Sequence, residues 1–274
     1  VLRSRVGLVL SAGGAKGLAH VGALRCFERA GLEFDMVAGS SMGGIVGALL
    51  AMGRDSADML RTFRGLAGNL RRSLLDFGLP EVALLHGDRK RDAIRAEVGE
   101  RDVRDLPLPF WAVAADLVSG REVVLGSGPL WRALDATSAI PTVFPPVVVG
   151  EHVLVDGWVV NPLPADVLRR EGADIVIAVD TSAGVDPTMR LDTGGGSPGV
   201  LGLISGLFDR LANPAIVRIA LRAMEVGGRE RTLANLALVD AAVQPDLGAF
   251  SVADASQLDE IVERDGIIVV ASHG

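Results

Sequence analysis

Three short stretches of the chain carry residue types whose spacing suits acyl transfer. In Gly39-Ser40-Ser41-Met42-Gly43 a serine lies between glycines two positions to either side, where an apolar strand-like run gives way to a helical pattern. That is the layout of a nucleophile elbow, in which a tight turn holds the serine and the missing Cβ atoms let neighbouring backbone pass. The turn also leaves Ser41 at a helix N-terminus, where N–H groups and the macrodipole favour negative charge. On its own the five-residue pattern also describes a structural turn.

Ser11-Ala12-Gly13-Gly14-Ala15-Lys16-Gly17 occupies a second strand-to-helix junction. Attack on an ester builds an oxyanion, and each backbone N–H aimed at it lowers the barrier by about 3–4 kcal/mol. Consecutive glycines let the backbone itself approach the reacting carbonyl. The loop is not a phosphate-binding P-loop, because its lysine precedes a glycine instead of following it, and it lacks the G-x-G-x-x-G of a dinucleotide site. The third stretch is Asp156-Gly157, after the apolar run His152–Val155 and before Asn161-Pro162-Leu163-Pro164. Taken alone, an Asp-Gly pair at a strand end is also a plain turn.

In combination the three resemble the patatin-like phospholipases, which share a G-G-G-x-[RK]-G oxyanion loop, a G-x-S-x-G nucleophile and a D-G-[GA] aspartate. The resemblance runs from Gly7 to Asp180 and continues more weakly through Pro245-Asp246-Leu247-Gly248. The stretch Asp156–Asp180, with Asn161-Pro162-Leu163-Pro164-Ala165-Asp166-Val167 and Gly172-Ala173-Asp174, looks most like the bacterial and neuropathy-target-esterase branch. What the resemblance implies is a three-layer α/β/α sandwich with a central, mostly parallel sheet. It also implies a serine esterase of phospholipid or lysophospholipid acyl esters, working through a Ser-Asp dyad and an acyl-enzyme. By the same resemblance Ser41 is the nucleophile, Asp156 its partner, and Gly13, Gly14 and Ala15 the oxyanion donors. Lys16, Gly17, Gly39, Gly43 and Gly157 support the loop and the elbow. Neither cofactor nor metal is implied. Two departures bear on substrate scope: Ala12 replaces the first glycine of the triplet, and Trp158 stands where the family has Gly or Ala.

Two rival readings remain beside this one. A Ser-His-Asp triad would need a histidine after the acid, and His273 satisfies that order, but it lies one residue from the terminus. Ser41 also follows only the second strand candidate, whereas several strands precede the elbow in α/β-hydrolases. The other rival is a non-catalytic or regulated lipid-binding module on the same fold.

These residues must be positioned by elements that the apolar pattern outlines. Strand candidates are Val6–Ser11, Met36–Ala38, Phe110–Ala115, Val123–Leu125, Val147–Val149, Val153–Val155, Ile175–Val179 and Leu236–Val243. Helical patterns cover Ala15–Ala30, Met42–Met52, Ser56–Leu66, Arg89–Val98, Pro129–Thr137, Pro164–Glu171, Ala215–Val226 and Ala255–Arg264. Strands alternating with helices indicate an α/β layered fold, read as one catalytic domain over 1–274. Residues 192–229 form an expected mobile segment, opened by Asp192–Gly199, a linker by composition. Behind it Val200, Leu203, Ile204, Leu207, Phe208 and Leu211 recur at helical spacing. The stretch 200–211 is read either as a peripheral membrane contact or lid, or as a core helix.

The bulk numbers agree. With 49% hydrophobic residues and a mean hydropathy of +0.37, the 274-residue chain has ample material for a core. A net charge of −7 argues against a nucleic-acid partner. The cluster Arg61, Arg64, Arg71 and Arg72 reads as solvated helix surface, with anionic lipid as the alternative. The single cysteine, Cys26, is expected to be a buried structural thiol and excludes an internal disulfide framework. The four histidines are too scattered for a metal site. No apolar run reaches the length of a membrane span, and Arg3–Leu10 is too brief for a signal peptide. A cytoplasmic location, with contact at the inner face of a membrane, is therefore expected. The start at Val1 suggests the catalytic part of a longer protein with a regulatory domain elsewhere.

Overall fold

The computed structural model describes residues 3–73, 87–182, 215–248, 250, 257–263 and 266–270. Its centre is made by the short apolar runs that precede the site motifs. Val6–Leu10 (β1) and Met36–Ser40 (β2) lack polar alternation, as strands covered on both faces do, and both are buried apart from the half-buried Val6. The remaining strands are Phe110–Asp116 (β3), Glu122–Leu125 (β4), Val147–Val149 (β5), His152–Asp156 (β6), Ile175–Val179 (β7), Ala241–Pro245 (β8) and Gly266–Val270 (β9). They form one sheet in the order β5-β6-β3-β2-β1-β7-β8-β9, with β4 pairing β3 off this path. The inner run β3-β2-β1-β7-β8 is parallel throughout. Antiparallel pairings are confined to its flanks, at β3–β4, β3–β6, β5–β6 and β8–β9.

Helices cover both faces: Ala19–Arg29 (α1), Met42–Ala51 (α2), Ser56–Ser73 (α3), Asp88–Val98 (α4), Leu130–Thr137 (α5), Ala165–Arg170 (α6), Ala215–Leu236 (α7) and Leu258–Val262 (α8). Successive strand residues point to opposite faces, so β1 divides its side chains between two cores. Leu8 and Leu10 pack with Val21, Leu24, Val46, Leu49, Phe63, Leu134 and Ile261 from α1, α2, α3, α5 and α8. Val9 packs the other way, with Val167 and Leu168 of α6 and Leu236 at the end of α7. The result is the expected three-layer α/β/α sandwich with a parallel centre.

Several boundaries differ from those the sequence pattern suggests. The helix expected from Ala15 starts as a tight 3₁₀ turn, Gly14–Leu18, before α1 takes over. The strand expected over Leu236–Val243 begins only at Ala241, because Leu236 ends α7 and Asp240 turns the chain. The Asp240 carboxylate accepts from Val176 N–H while its own N–H donates to the Val176 carbonyl. Strand β9 was not anticipated at all. Cys26 is exposed, not buried, since α1 turns His20, Val21 and Leu24 inward and leaves Cys26 on its outer side. Arg61 and Arg64 pair with Asp58 and Asp259 on the surface, which supports the solvated reading for these two, while the side chains of Arg71 and Arg72 lie outside the described residues. The segment 200–211 and most of 192–229 lie outside the described residues, whereas 215–229 belongs to α7.

Candidate active site

β2 delivers Ser41 to the centre of the sheet and α2 starts at the next residue. Ser41 caps α2 in a strained backbone conformation, φ 55° and ψ −124°, outside the regions that ordinary L-residues occupy. The turn is this tight because strand, elbow and loop nearly touch. A Cβ on Gly43 would run into the Leu10 and Ser11 carbonyl oxygens, and one on Gly39 into the Gly43 carbonyl. The first bond inside α2 runs from Ile45 N–H to the Ser41 carbonyl, so the N–H groups of Met42, Gly43 and Gly44 have no partner within the helix.

β6 brings Asp156 to the same place. It runs antiparallel to β3, with Asp156 opposite Ala114, while β2 lies parallel on the other side of β3. The Ser41 Oγ–H donates to Asp156 Oδ2 at 2.7 Å, and Trp158 N–H donates to Oδ1 at 2.8 Å. Ser41 is 3% exposed and Asp156 fully buried. Burial pushes the Asp156 carboxyl up to about 6, against the opposing pull of the Ser41 hydroxyl, the Trp158 N–H and the positive charge of Lys90. Gly157 allows the close approach: a Cβ there would strike the Val113 carbonyl oxygen and come within 2.6 Å of Ser40 Oγ.

The glycine-rich loop lies beside the elbow. Its first 3₁₀ bond joins Lys16 N–H to the Gly13 carbonyl at 3.1 Å, which leaves the N–H groups of Gly14 and Ala15 without partners inside the turn. The Gly13 N–H has no acceptor among the described residues. Gly14 adopts φ +54°, a conformation that glycine enters without strain. A Cβ on Gly17 would lie 2.6 Å from the Met42 side chain, so loop and elbow touch at that point. Lys16 is buried, with 6% exposure. Behind the loop, the fully buried His20 donates Nε2–H to the Ser11 carbonyl at 2.8 Å. Burial lowers its imidazole to about 4, so it is a neutral strut. The loop is further pinned by Ala12 N–H to the Pro162 carbonyl and by Thr181 Oγ1 to the Ala12 carbonyl.

Neither His20 nor His152 partners Ser41. His152 Nδ1 faces Asp116 Oδ2 at 3.0 Å, and His86 and His273 lie outside the described residues. The two departures from the motif pattern turn out to be one feature. Ala12 and Trp158 belong to a single buried cluster with Leu221 and Met224 of α7, with Ile140 and Val217 packed against it. The helix expected over Pro129–Thr137 is present as α5, but its part in the site was not read from the sequence. Thr137 Oγ1 accepts from Ser41 N–H at 3.0 Å, and the Ala139 carbonyl accepts from Asp156 N–H at 3.0 Å. No motif marks these positions, whose relevance exists only in three dimensions.

Comparison with known proteins places this geometry. The patatin-like phospholipase model matches residues 8–169, more than half of the chain. An uncharacterized NTE family protein of Mycobacterium bovis is 33% identical over 263 residues, covering 94% of this chain and 44% of that protein. A lysophospholipase, nte1, of Aspergillus fumigatus is 33% identical over 186 residues, covering 67% of this chain and 12% of that protein. The chain thus spans less than half the length of these relatives. Both fit the branch that Asp156–Asp180 resembles. Among solved structures, VipD from Legionella pneumophila overlaps 65% of this chain and 50% of its own with a TM-score of 0.44 at 15% identity.

Proposed function

The chain belongs to the patatin-like phospholipase family, and on that premise we propose that it hydrolyses fatty acyl esters of phospholipids or lysophospholipids through a Ser41–Asp156 dyad. The observation that carries this reading is the 2.7 Å hydrogen bond from Ser41 Oγ to Asp156 Oδ2 at a strained strand-to-helix turn. Ser41 Oγ attacks the ester carbonyl as its proton passes to Asp156. The oxyanion is held by N–H groups of the Gly13–Ala15 segment, next to the unpartnered N-terminus of α2. Asp156 returns the proton to the departing alcohol, leaving an acyl-enzyme. Water then attacks that ester, giving its proton to Asp156, and Ser41 is regenerated with release of the fatty acid.

A carboxyl at about 6 suits this cycle better than one at 3.8, since it is ionised near neutrality yet basic enough to share the proton. The buried cluster of Ala12, Trp158, Leu221 and Met224 makes the surroundings of the oxyanion loop and of Asp156 apolar, which accords with an acyl substrate. Contact with a membrane surface through residues 200–211 belongs to the same proposal and rests on the amino-acid pattern of that stretch. Placement within a longer chain carrying a regulatory domain accords with the length of the relatives.

One observation favours a second reading: at 3% exposure Ser41 is closed off, as in a lipid-binding module that does not turn over. Turnover of a short nitrophenyl ester and of a lysophospholipid, with and without Ser41→Ala, separates the two. Hydrolysis lost in the variant supports the enzyme. Lipid binding with no Ser41-dependent turnover supports the module.

A further inference from the structure

The best-connected polar group near the dyad that the reaction scheme leaves unused is Lys90, on the first turn of α4. Its side chain is only 16% exposed. The ammonium Nζ donates to Asp135 Oδ1 and to the Asp135 carbonyl, both at 2.9 Å, and reaches the Ser138 carbonyl at 3.3 Å. It also sits 4.6 Å from the centre of the Phe144 ring. Asp135 and Ser138 bracket the C-terminal end of α5, where carbonyls lack helical partners and the dipole is negative. Between and just beyond them stand Thr137 and Ala139, the acceptors for the Ser41 and Asp156 N–H groups.

We propose that Lys90 is a positioning residue for the acyl-transfer reaction, locking the last turn of α5 that holds both dyad backbones and serving as counter-charge to ionised Asp156. The proposal rests on the acyl-hydrolase reading above. The charges in play come from two elements packed here: Lys90 and Arg91 of α4, and Asp135 of α5, which Arg91 Nε also contacts at 3.1 Å. The other groups on Asp156 are uncharged, the Ser41 hydroxyl and the Trp158 N–H. Lys90 Nζ and the Asp156 N–H bond to the adjoining carbonyls of Ser138 and Ala139, and from there the charge of Lys90 favours the ionised form of Asp156. A cation that is mostly buried against one carboxylate and two carbonyls is hard to replace by packing alone.

The test compares Lys90→Met and Lys90→Arg with the parent enzyme in ester hydrolysis across pH. Without the ammonium, Asp156 should hold its proton to higher pH. The acid limb of kcat/KM in Lys90→Met should therefore move upward, with a loss roughly tenfold greater at about pH 6 than at about pH 8. Lys90→Arg, which keeps the charge, should keep the parent's midpoint. An independent readout is the 13Cγ resonance of Asp156, identified by its absence in Asp156→Asn, whose titration midpoint should rise in Lys90→Met. Should that variant fail to fold, Lys90→Gln, which can still bond the α5 carbonyls, carries the same comparison. An unchanged acid limb and Asp156 midpoint, with any activity loss uniform across pH and tracking a lower Tm, would overturn the proposal. A parent enzyme without Ser41-dependent hydrolysis would instead remove the acyl-hydrolase reading, and the Asp156 titration would still decide the counter-charge.

Discussion

In the proposed reaction Asp156 faces two conflicting demands: it must be charged to take a proton, yet the fold removes it from water. Its carboxyl is raised from 3.8 to about 6, which corresponds to about 3 kcal/mol against the ionised form. For a carboxyl raised on folding, the native state binds the extra proton between the two values. The penalty is therefore absent below about pH 4, grows as pH rises, and is complete above about pH 6. Asp156→Asn should accordingly raise stability near pH 8 by about 1–3 kcal/mol in urea titrations, with the gain vanishing toward pH 4. The same variant should lower kcat at least about a hundredfold. In the parent enzyme kcat/KM should fall as pH drops through about 6, where Asp156 takes up its proton. At this scale the sequence was most informative where chemistry and motif coincide, as at Ser41, Asp156 and Gly14. It was silent on Lys90 and Thr137, which are ordinary helix residues until folding brings them to the dyad. Cys26 shows the converse error, because an apolar surrounding sequence does not say which side of a helix faces in.

The elements that matter most are the two turns that end parallel strands and the helix that braces them. Gly14 has φ +54°, so Gly14→Val should abolish ester turnover while circular dichroism still reports a folded protein. Near-parent activity in that variant would reduce the loop to a plain turn. Ala12→Gly should leave turnover close to the parent's, because the N–H groups it precedes are untouched. It should lose about 1 kcal/mol of stability from the Trp158–Leu221–Met224 cluster that Ala12 fills. Gly157→Ala places a methyl against the Val113 carbonyl and Ser40 and should destabilise by about 1–3 kcal/mol in the same urea titrations. Element types were legible because the strand runs are short, apolar and bounded by glycine. Boundaries were less so. The Leu236–Val243 run contains both a helix end and a strand start, separated by Asp240, whose pairing with Val176 no periodicity reveals. Strand β9, Gly266-Ile267-Ile268-Val269-Val270, is as apolar as β1, but its antiparallel pairing with β8 is a long-range contact that no local pattern marks.

At the scale of the whole molecule the sheet does the assembling. Parallel strands β1 and β2 end on the same edge, so the glycine-rich loop and the elbow emerge side by side, and the antiparallel flank through β3 returns Asp156 to meet them. The order of motifs along the chain therefore carried the fold class, while the packing of α7 against Ala12 and Trp158 could not be read from it. Among the described residues no helix is long and apolar enough to cross a membrane. The central claim is that Ser41 is a nucleophile activated by Asp156, and covalent labelling tests it most directly. A fluorophosphonate should modify Ser41 alone, as located by peptide mass spectrometry, with the labelling rate falling about a hundredfold or more in Asp156→Asn. Label on Ser40 or another serine, or labelling of Ser41 that is indifferent to Asp156, would contradict the account.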